Sequence, residues 1–152
     1  MNELINHREF TLMTRPERRA AILRLQAAIE AMTPADGRIE SEDCPVKHHF
    51  APGQYLREIK VAAGQVVIGK IHIHAHGNIV SQGHCTVFTE DGLREVKAPL
   101  TFISQPGTKR AVLVHEELIW TTCHATNKTD LAEIEAEIIA PNYKALALEV
   151  AS

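Results

Sequence analysis

The chain has few cysteines and little excess charge of either sign. Its three cysteines, Cys44, Cys85 and Cys123, lie far apart and form no CxxC pair, so we expect free thiols in a reducing compartment. The formal net charge of −3 gives no electrostatic basis for binding nucleic acid or a membrane surface. We therefore expect neither nucleic acid nor a membrane among the partners of this protein.

Long apolar runs are also missing. No stretch reaches the length of a membrane span, and the first residues lack the basic-then-apolar layout of a signal peptide. These absences lead us to expect a cytoplasmic protein. The 152 residues, 45% of them hydrophobic, are enough for one domain with a sizeable core.

The ends of the chain are predicted to be helical and its middle to be β. Residues 1–44 are interpreted as an N-terminal arm, an amphipathic helix that begins at the capping box Thr14-Arg15-Pro16-Glu17 and ends near Met32, and an acidic loop. Residues 45–126 contain roughly eight short β-type runs separated by turns such as Glu90-Asp91-Gly92. This texture is typical of an all-β sandwich or barrel.

The C-terminal part, residues 127–152, is interpreted as a short helix followed by an apolar tail. The helix is expected to begin at Asp130, with Asn127 or Thr129 as its cap. We expect the N-terminal helix to serve as a packing or dimer element rather than as a functional motif.

The chain is rich in histidine. His72, His74 and His76 recur at two-residue spacing in an apolar run, so on a β-strand they share one face with Lys70. Neutral imidazole is the commonest side-chain metal ligand, and the row therefore predicts metal binding. On a straight strand the Cα atoms of His72 and His76 lie about 13 Å apart, so a shared ion needs an adjacent pair or a bend, for which Gly77 is the candidate. A solvent-facing row of histidines is the alternative.

A second stretch with chemical potential runs from His115 to His124. On a strand, Trp120, Thr122 and His124 share a face, so His124 can reach into a barrel above the Trp120 ring. His124 is our first choice for a third ligand, and a core histidine bonded to backbone is an equal alternative. His115 is expected at a surface turn.

The histidine row resembles the first motif of the cupin superfamily, whose members are small double-stranded β-helix barrels. That motif, G-x5-H-x-H-x(3,4)-E-x6-G, places Gly64 and Gly83 on its outer glycines. His72 then matches the second histidine, His76 takes the place of the glutamate, and Lys70 takes the place of the first histidine. The resemblance implies an all-β barrel with an N-terminal amphipathic helix and a short C-terminal helix.

The second cupin motif, G-x5-P-x-G-x2-H-x3-N, resembles the segment Gln105-Pro106-Gly107-Thr108-Lys109-Arg110, with Arg110 in place of the histidine. Two of the usual ligand positions are thus replaced by the cations Lys70 and Arg110. Neither ligates a metal in its charged form, but either can bind an anion. If both point inward, the cavity mouth is positive and favours a small acidic molecule, in a pocket also lined by Trp120.

From His48 to Ala140 the chain further resembles small cupin proteins carried by bacteriophages and prophages. The matching motifs are H-x-F-A-P-G-x-Y-x-R-E, G-K-I-H, A-P-x-T-F-x-S-x-P-G-T-K-R and H-E-x-x-x-W-T-T-x-H. This resemblance implies the cytosol of a bacterial host, or association with a virion. Because cupins commonly pair through their sheets, it also implies a homodimer or a higher homo-oligomer.

Three functions are consistent with these residues. The favoured hypothesis is a metal-binding cupin of phage type, with Zn, Fe, Ni, Mn or Cu held by His72, His76 (or His74) and His124, and with metal-dependent chemistry on a small anionic metabolite. The second is a non-catalytic phage structural or host-interaction protein that uses the barrel as a scaffold. The third is a metal-free module that binds a small molecule. The residues alone identify neither the metal nor a reaction.

Overall fold

The computed structural model describes residues 5–32 and 44–151, so most of the expected acidic loop lies outside the described residues. Two helices, α1 (His7–Leu12) and α2 (Arg15–Met32), precede the strands, and two more, α3 (Leu131–Ile138) and α4 (Tyr143–Ala151), lie near the C-terminus. The strands are β1 (Val46–Ala51), β2 (Gln54–Val61), β3 (Val66–Ile68), β4 (Ile71–His72), β5 (His76–Thr89), β6 (Gly92–Lys97), β7 (Leu100–Ser104), β8 (Ala111–His124) and β9 (Ile139–Ala140).

Helix α2 begins at the predicted capping box. The backbone N–H of Thr14 donates to Glu17 Oε2 over 2.6 Å, and the N–H of Glu17 donates to Thr14 Oγ1 over 3.4 Å. The residues before it, expected to form an arm without periodicity, instead form α1, where Asn6 Oδ1 accepts a hydrogen bond from the N–H of Glu9. The local capping rules therefore explain both helix starts.

Both N-terminal helices pack on the outer face of the β-barrel. Phe10, Ile22 and Leu25 are buried there against Phe88 of β5. Arg15 and Arg19 of α2 form ion pairs of 2.8 and 2.6 Å with Glu90, in the turn between β5 and β6. The amphipathic helix is thus a packing element of its own barrel.

Strands β5 and β8 have 14 residues each and lie at the centre of one seven-stranded sheet, and β4 and β9 form a separate two-stranded sheet. The first half of β5 pairs with β7 and with the end of β8, whereas its second half pairs with β6 and with the start of β8. Strand β8 pairs with β3 through its start and with β2 through its end, and β1 continues the sheet beyond β2. All pairings are antiparallel. A sheet whose long central strands change partners along their length makes a double-stranded β-helix barrel, the predicted fold.

The core of the barrel lies inside this seven-stranded sheet. Its members are the inward-facing residues of the strands, with Val80 and Cys85 fully buried and Val61, Val96 and Val114 only 1% exposed. Burial of each aliphatic side chain of this size contributes roughly 1.5–3 kcal/mol. The apolar residues are therefore concentrated on the inner face, where they also form walls for the site described below.

The strand expected through the histidine row is not continuous, and this expectation is wrong. After β3, the chain leaves the large sheet at Gly69, and β4 pairs instead with β9, with His72 opposite Ile139. The chain then bends through residues 73–75 and enters β5 at His76. The bend therefore precedes His76 and does not lie at Gly77, which is a regular residue of β5.

At the C-terminus, the predicted helix is present as α3, but its cap is Asp130 rather than Asn127 or Thr129. Asp130 Oδ1 accepts a hydrogen bond of 3.0 Å from the N–H of Glu133. The apolar tail forms a further helix, α4. Within the described ranges Cys85 and Cys123 are free thiols, and none of the helices is long and apolar enough to cross a membrane.

Gly83 is the tightest backbone position in the bend of β5. Its φ is +96°, and a Cβ there would overlap the carbonyl oxygen of Glu117 and lie 2.9 Å from that of Glu116. Gly53 also has a positive φ, +76°, but a Cβ there would meet nothing within 4 Å.

We predict that Gly83→Ala destabilises the protein more than Gly53→Ala does. Left-handed backbone costs an alanine about 1–2 kcal/mol at either position, and the overlap at Gly83 adds about 1–3 kcal/mol. The measurement is the free energy of unfolding in urea for both variants. Equal losses would contradict the close approach of β5 and β8 at this point.

Candidate metal and ligand site

Three imidazole rings meet inside one end of the barrel. The ring centroids of His72 and His76 lie 4.2 Å apart, those of His76 and His124 4.9 Å, and those of His72 and His124 5.3 Å. One ring nitrogen from each residue lies within 4.8 Å of the other two. His76 and His124 are buried, and His72 is half-buried.

Backbone pairing brings these rings together from three strands. His72 ends β4, and His76 begins β5 directly after the bend. His124 ends β8, where the neighbouring Cys123 lies opposite Gly77 of β5. The bend thus removes the long Cα separation that a straight strand would impose on His72 and His76.

One residue expected among the metal ligands lies outside the cluster, and the expected cation Lys70 lies at the rim of the cavity. His74 falls within the bend and is exposed, and it does not belong to the group formed by the other three histidines. Lys70 lies at the mouth of the cavity, where its Nζ pairs with the carboxylate of Glu135 on α3. The charge of Lys70 is therefore balanced at the rim.

The hydrogen bond of the His76 ring determines which of its nitrogens can coordinate a metal ion. Nδ1 lies 3.4 Å from the carbonyl oxygen of His74, and because a carbonyl only accepts, Nδ1 carries the proton. Nε2 then has a free lone pair. It is buried and has no hydrogen-bond partner among the described residues.

The three imidazoles favour their neutral forms. Burial, together with repulsion from His76, His124 and Arg110, lowers the pKa of His72 to about 2. Burial, with repulsion from His76 and Arg57, lowers the pKa of His124 to about 4. The pKa of His76 is also lowered, chiefly by burial. Neutral imidazole is the form that binds metal ions.

Aromatic and amide side chains pack around the histidine cluster. The Tyr55 ring stacks on His124 with centroids 5.9 Å apart. Asn78, fully buried, accepts a 3.0 Å hydrogen bond from Trp120 Nε1 and donates one of 2.8 Å to Ser104 Oγ. Asn78 was not among the residues singled out from the sequence, although its position two residues after His76 on β5 places it on the same inward face.

The cluster opens into a cavity of about 240 Å³. Strand residues such as Val61, Val112 and Leu118 form its apolar walls. Helix α3 covers one side with Ile134 and Ile138. The contribution of α3 to the pocket could not be predicted from the sequence. The position of α3 depends on the long-range pairing of β4 with β9, the strand that directly follows α3.

Arg110, which aligns with the histidine of the second cupin motif, lines this cavity. Its guanidinium carbon lies 5.3 Å from the centroid of Trp120 and 5.6 Å from that of Phe102. Burial and repulsion from Arg94 lower the pKa of Arg110 to about 10, so it is still cationic at neutral pH. Arg57 of β2 also lines the cavity.

The donor set fits a divalent transition metal. It consists of three imidazoles without thiolate, which is a ligand type shared by Zn, Cu, Fe and Ni. The buried, unpartnered Nε2 of His76 is the polar atom that such an ion would satisfy. Three protein ligands would also leave coordination positions for another molecule.

A second group of potential ligands lies on the outer face of the sheet. His84, Glu95 and His115 offer ligand atoms within 4.8 Å of one another, and Thr86 Oγ1 lies 2.6 Å from both Glu95 and His115. His115 lies within β8, so its expected position at a turn is wrong. The contacts among these residues already pair their polar atoms, which is consistent with a surface hydrogen-bond network.

Comparison with known proteins gave matches only at the level of structure: no family model and no curated protein matches the chain. KdgF from Halomonas sp. is 17% identical with a TM-score of 0.49, covering 59% of this chain and 86% of that one. An RmlC-like cupin family protein from Methanocaldococcus jannaschii is 14% identical with a TM-score of 0.47, covering 59% and 86%. A cupin-2 domain-containing protein from Shewanella frigidimarina is 13% identical with a TM-score of 0.45, covering 53% and 79%.

Two of these three structures are named as cupins, the superfamily that the sequence motifs resemble. None of the three names indicates a phage origin. Since the TM-scores lie below 0.5, the fold assignment depends on the strand topology of this chain rather than on these likenesses.

We predict that the metal-free protein loses stability as the pH falls below about 6.5. The unfolded chain, with histidine pKa values near 6.5, then takes up protons that the buried imidazoles do not. Because the pKa of His124 is lowered to about 4 and that of His72 to about 2, the contribution of His124 to this loss levels off near pH 4 and that of His72 continues toward pH 2. The measurement is the urea midpoint at several pH values in the presence of a chelator.

The matched variants are His72→Phe and His74→Phe. His72→Phe removes one of the buried imidazoles, so its urea midpoint should depend less on pH. His74→Phe changes an exposed ring outside the cluster and should retain the pH dependence of the wild type. The same pH profile in the wild type and His72→Phe would show that the cluster is not the source.

Proposed function

We propose that this protein is a metal-binding protein of cupin fold that acts on a small anionic metabolite. Its divalent ion, one of Zn, Fe, Ni, Mn or Cu, is held by His72, His76 and His124. The observation that supports this proposal most directly is the convergence of three imidazoles from three strands, each with a nitrogen within 4.8 Å of the others. Three such rings are otherwise unfavourable neighbours in a barrel interior, because buried polar groups need partners.

The residues of the proposed site have separate roles. His72, His76 and His124 would hold the ion, and the hydrogen bond from His76 Nδ1 to the carbonyl of His74 fixes the His76 ring and leaves the lone pair of the buried Nε2 available. Such an ion supplies Lewis-acid activation of a bound substrate or water at its open positions. The Arg110 guanidinium attracts the anion, while Trp120 and the aliphatic walls exclude water from it.

The described part of the N-terminal segment offers no support for the structural or host-interaction role. Its helices pack on their own barrel through Ile22 and Leu25 and leave these apolar residues buried. The phage subgroup, the homodimer and the cytoplasmic location stay predictions, since none of the contacts in the described chain tests them. A metal-free binding module is an outcome of the experiment below.

The test is elemental analysis of untagged protein purified without chelator. We expect about one ion per chain in the wild type, because one three-histidine group is buried in the barrel. The variant His72→Ala, His124→Ala should lose the ion, since two of its three ligands are gone. His74→Ala removes a histidine from the same segment but outside the cluster, so it should keep the ion.

Reconstitution with each of the five metals completes the measurement. If neither the purified nor the reconstituted wild type holds metal, the proposed metal centre is wrong. If the double variant and the wild type hold equal amounts, the ion is bound elsewhere on this histidine-rich chain. Far-UV circular dichroism of each variant shows whether a loss of metal reflects the ligands or the fold.

A further inference from the structure

Arg110 is a half-buried cation for which no ion pair with a carboxylate is found in the described chain. Its Nη2 is buried and has no hydrogen-bond partner among the residues described. The faces of Trp120 and Phe102 hold the guanidinium in place but offer no acceptor in its plane. Burial of a guanidinium without an acceptor is strongly unfavourable, so the arrangement calls for an anion supplied by a ligand.

The charges that face the cavity reinforce this requirement. Its described lining contains three cations, Arg57, Lys70 and Arg110, and a single carboxylate, that of Glu135. Glu135 is engaged by Lys70 at the mouth. Arg57 and Arg110 are therefore the cations that face the interior without a paired carboxylate in the lining.

The walls determine what the rest of the ligand looks like. Around Arg110 they consist of Trp120 and aliphatic side chains, including Val61, Val112 and Leu118. The cavity volume of about 240 Å³ lies below the range of about 300–1,000 Å³ that accommodates drug-sized ligands. A small molecule with an apolar body and one charged group fits these walls.

Carboxylate suits this site better than phosphate does. The planar fork of a guanidinium matches the two oxygens of a carboxylate. Only one nitrogen of Arg110, Nη2, is buried without a partner, so a ligand with few acceptor atoms is enough to satisfy it. A phosphate presents more oxygens and more charge, which apolar walls would leave without donors.

We infer that the cavity binds a small monocarboxylate with an apolar body, its carboxylate on Arg110 and its body against Trp120 and the aliphatic walls. This inference deepens the proposed function by naming the class of anion, and it rests on that function only for the neighbouring metal centre. Arg110 is thus a ligand-binding residue in place of the metal ligand that the family motif has at this position.

Trp120 makes the inference directly measurable. It is the single tryptophan of the chain, and its ring lies beside Arg110 in the cavity. We expect hexanoate to change the tryptophan fluorescence saturably, and hexanamide, its neutral counterpart, to bind at least about tenfold more weakly, as the loss of a charge-assisted hydrogen bond implies. Inorganic phosphate is the third probe.

Arg110→Gln should weaken hexanoate binding about tenfold or more and leave the weak binding of hexanamide unchanged. The matched control is Arg24→Gln, which removes the same charge from an exposed position on α2 and should bind hexanoate as the wild type does. Equal affinity for hexanoate and hexanamide, or unaltered hexanoate binding by Arg110→Gln, would overturn the inference. Tighter binding of phosphate than of hexanoate would overturn the assignment to carboxylates.

A thermal unfolding measurement separates ligand binding from folding. Because Arg110→Gln removes a half-buried charge whose buried Nη2 has no partner, its midpoint without ligand should equal or exceed that of the wild type. A clearly lower midpoint would mean that the guanidinium has a structural partner, which contradicts the inference.

The double variant His72→Ala, His124→Ala distinguishes this inference from the proposed function. If it loses metal but still discriminates hexanoate from hexanamide, the carboxylate site stands on its own. If the wild type holds metal but does not discriminate, the metal centre stands and the carboxylate inference is wrong.

Discussion

The pairing of β5 with β8 is the interaction on which the rest of the structure depends. Each strand pairs with different neighbours along its two halves, so the pairing of β5 with β8 links all seven strands of the main sheet and aligns the inward-facing residues of the core. The register shifts between Val80 and Cys85, and Gly83 permits the close approach of the two backbones at that point. The same pairing sets Gly77 opposite Cys123, which brings His76 and His124 to one end of the barrel. Fold and site therefore share one register.

The interior that this pairing creates contains polar groups that a stable core would omit. Three imidazoles lie against one another, and the pKa values of His72 and His124 are lowered because burial opposes their charged forms. Arg110 adds a half-buried cation whose Nη2 is buried and unpartnered. Apolar residues of similar volume at these positions would pack with less unfavourable desolvation. A chain that keeps such groups together at one end of a cavity is organised around a ligand rather than around maximal stability.

Sequence periodicity predicted the parts of this structure that depend on local rules. The capping box at Thr14 and the turn before Gly92 follow from hydrogen bonds between near neighbours, and both are present. The all-β barrel followed from the spacing of short apolar runs and turns. The placement of His124 beside His72 could be suggested from alternation along β8, because Trp120 and His124 share a face.

Tertiary pairing decided what periodicity could not. A two-residue repeat predicted one strand through His72, His74 and His76, yet β4 pairs with β9, which is over sixty residues further along the chain. That long-range pairing turns the backbone and leaves His74 exposed. It also brings α3 over the cavity, where Glu135 pairs with Lys70. Neither consequence is encoded in the local pattern around the histidines.

The charge arrangement ties the two proposed ligands to one another. Neutral imidazoles would bring no negative charge to a bound ion, and Arg110 is close enough to His72 and His76 to lower the pKa of both. A divalent ion at the cluster therefore raises the positive potential that an anion at Arg110 experiences, and the anion in turn offsets the repulsion between the ion and the guanidinium. Because such coupling is reciprocal, each ligand strengthens the binding of the other. Lys70 and Arg110 stand where the cupin motifs have metal ligands. Lys70 is paired with Glu135 at the rim, whereas Arg110 has no carboxylate partner inside the cavity. A bound anion would supply the negative charge that Arg110 lacks.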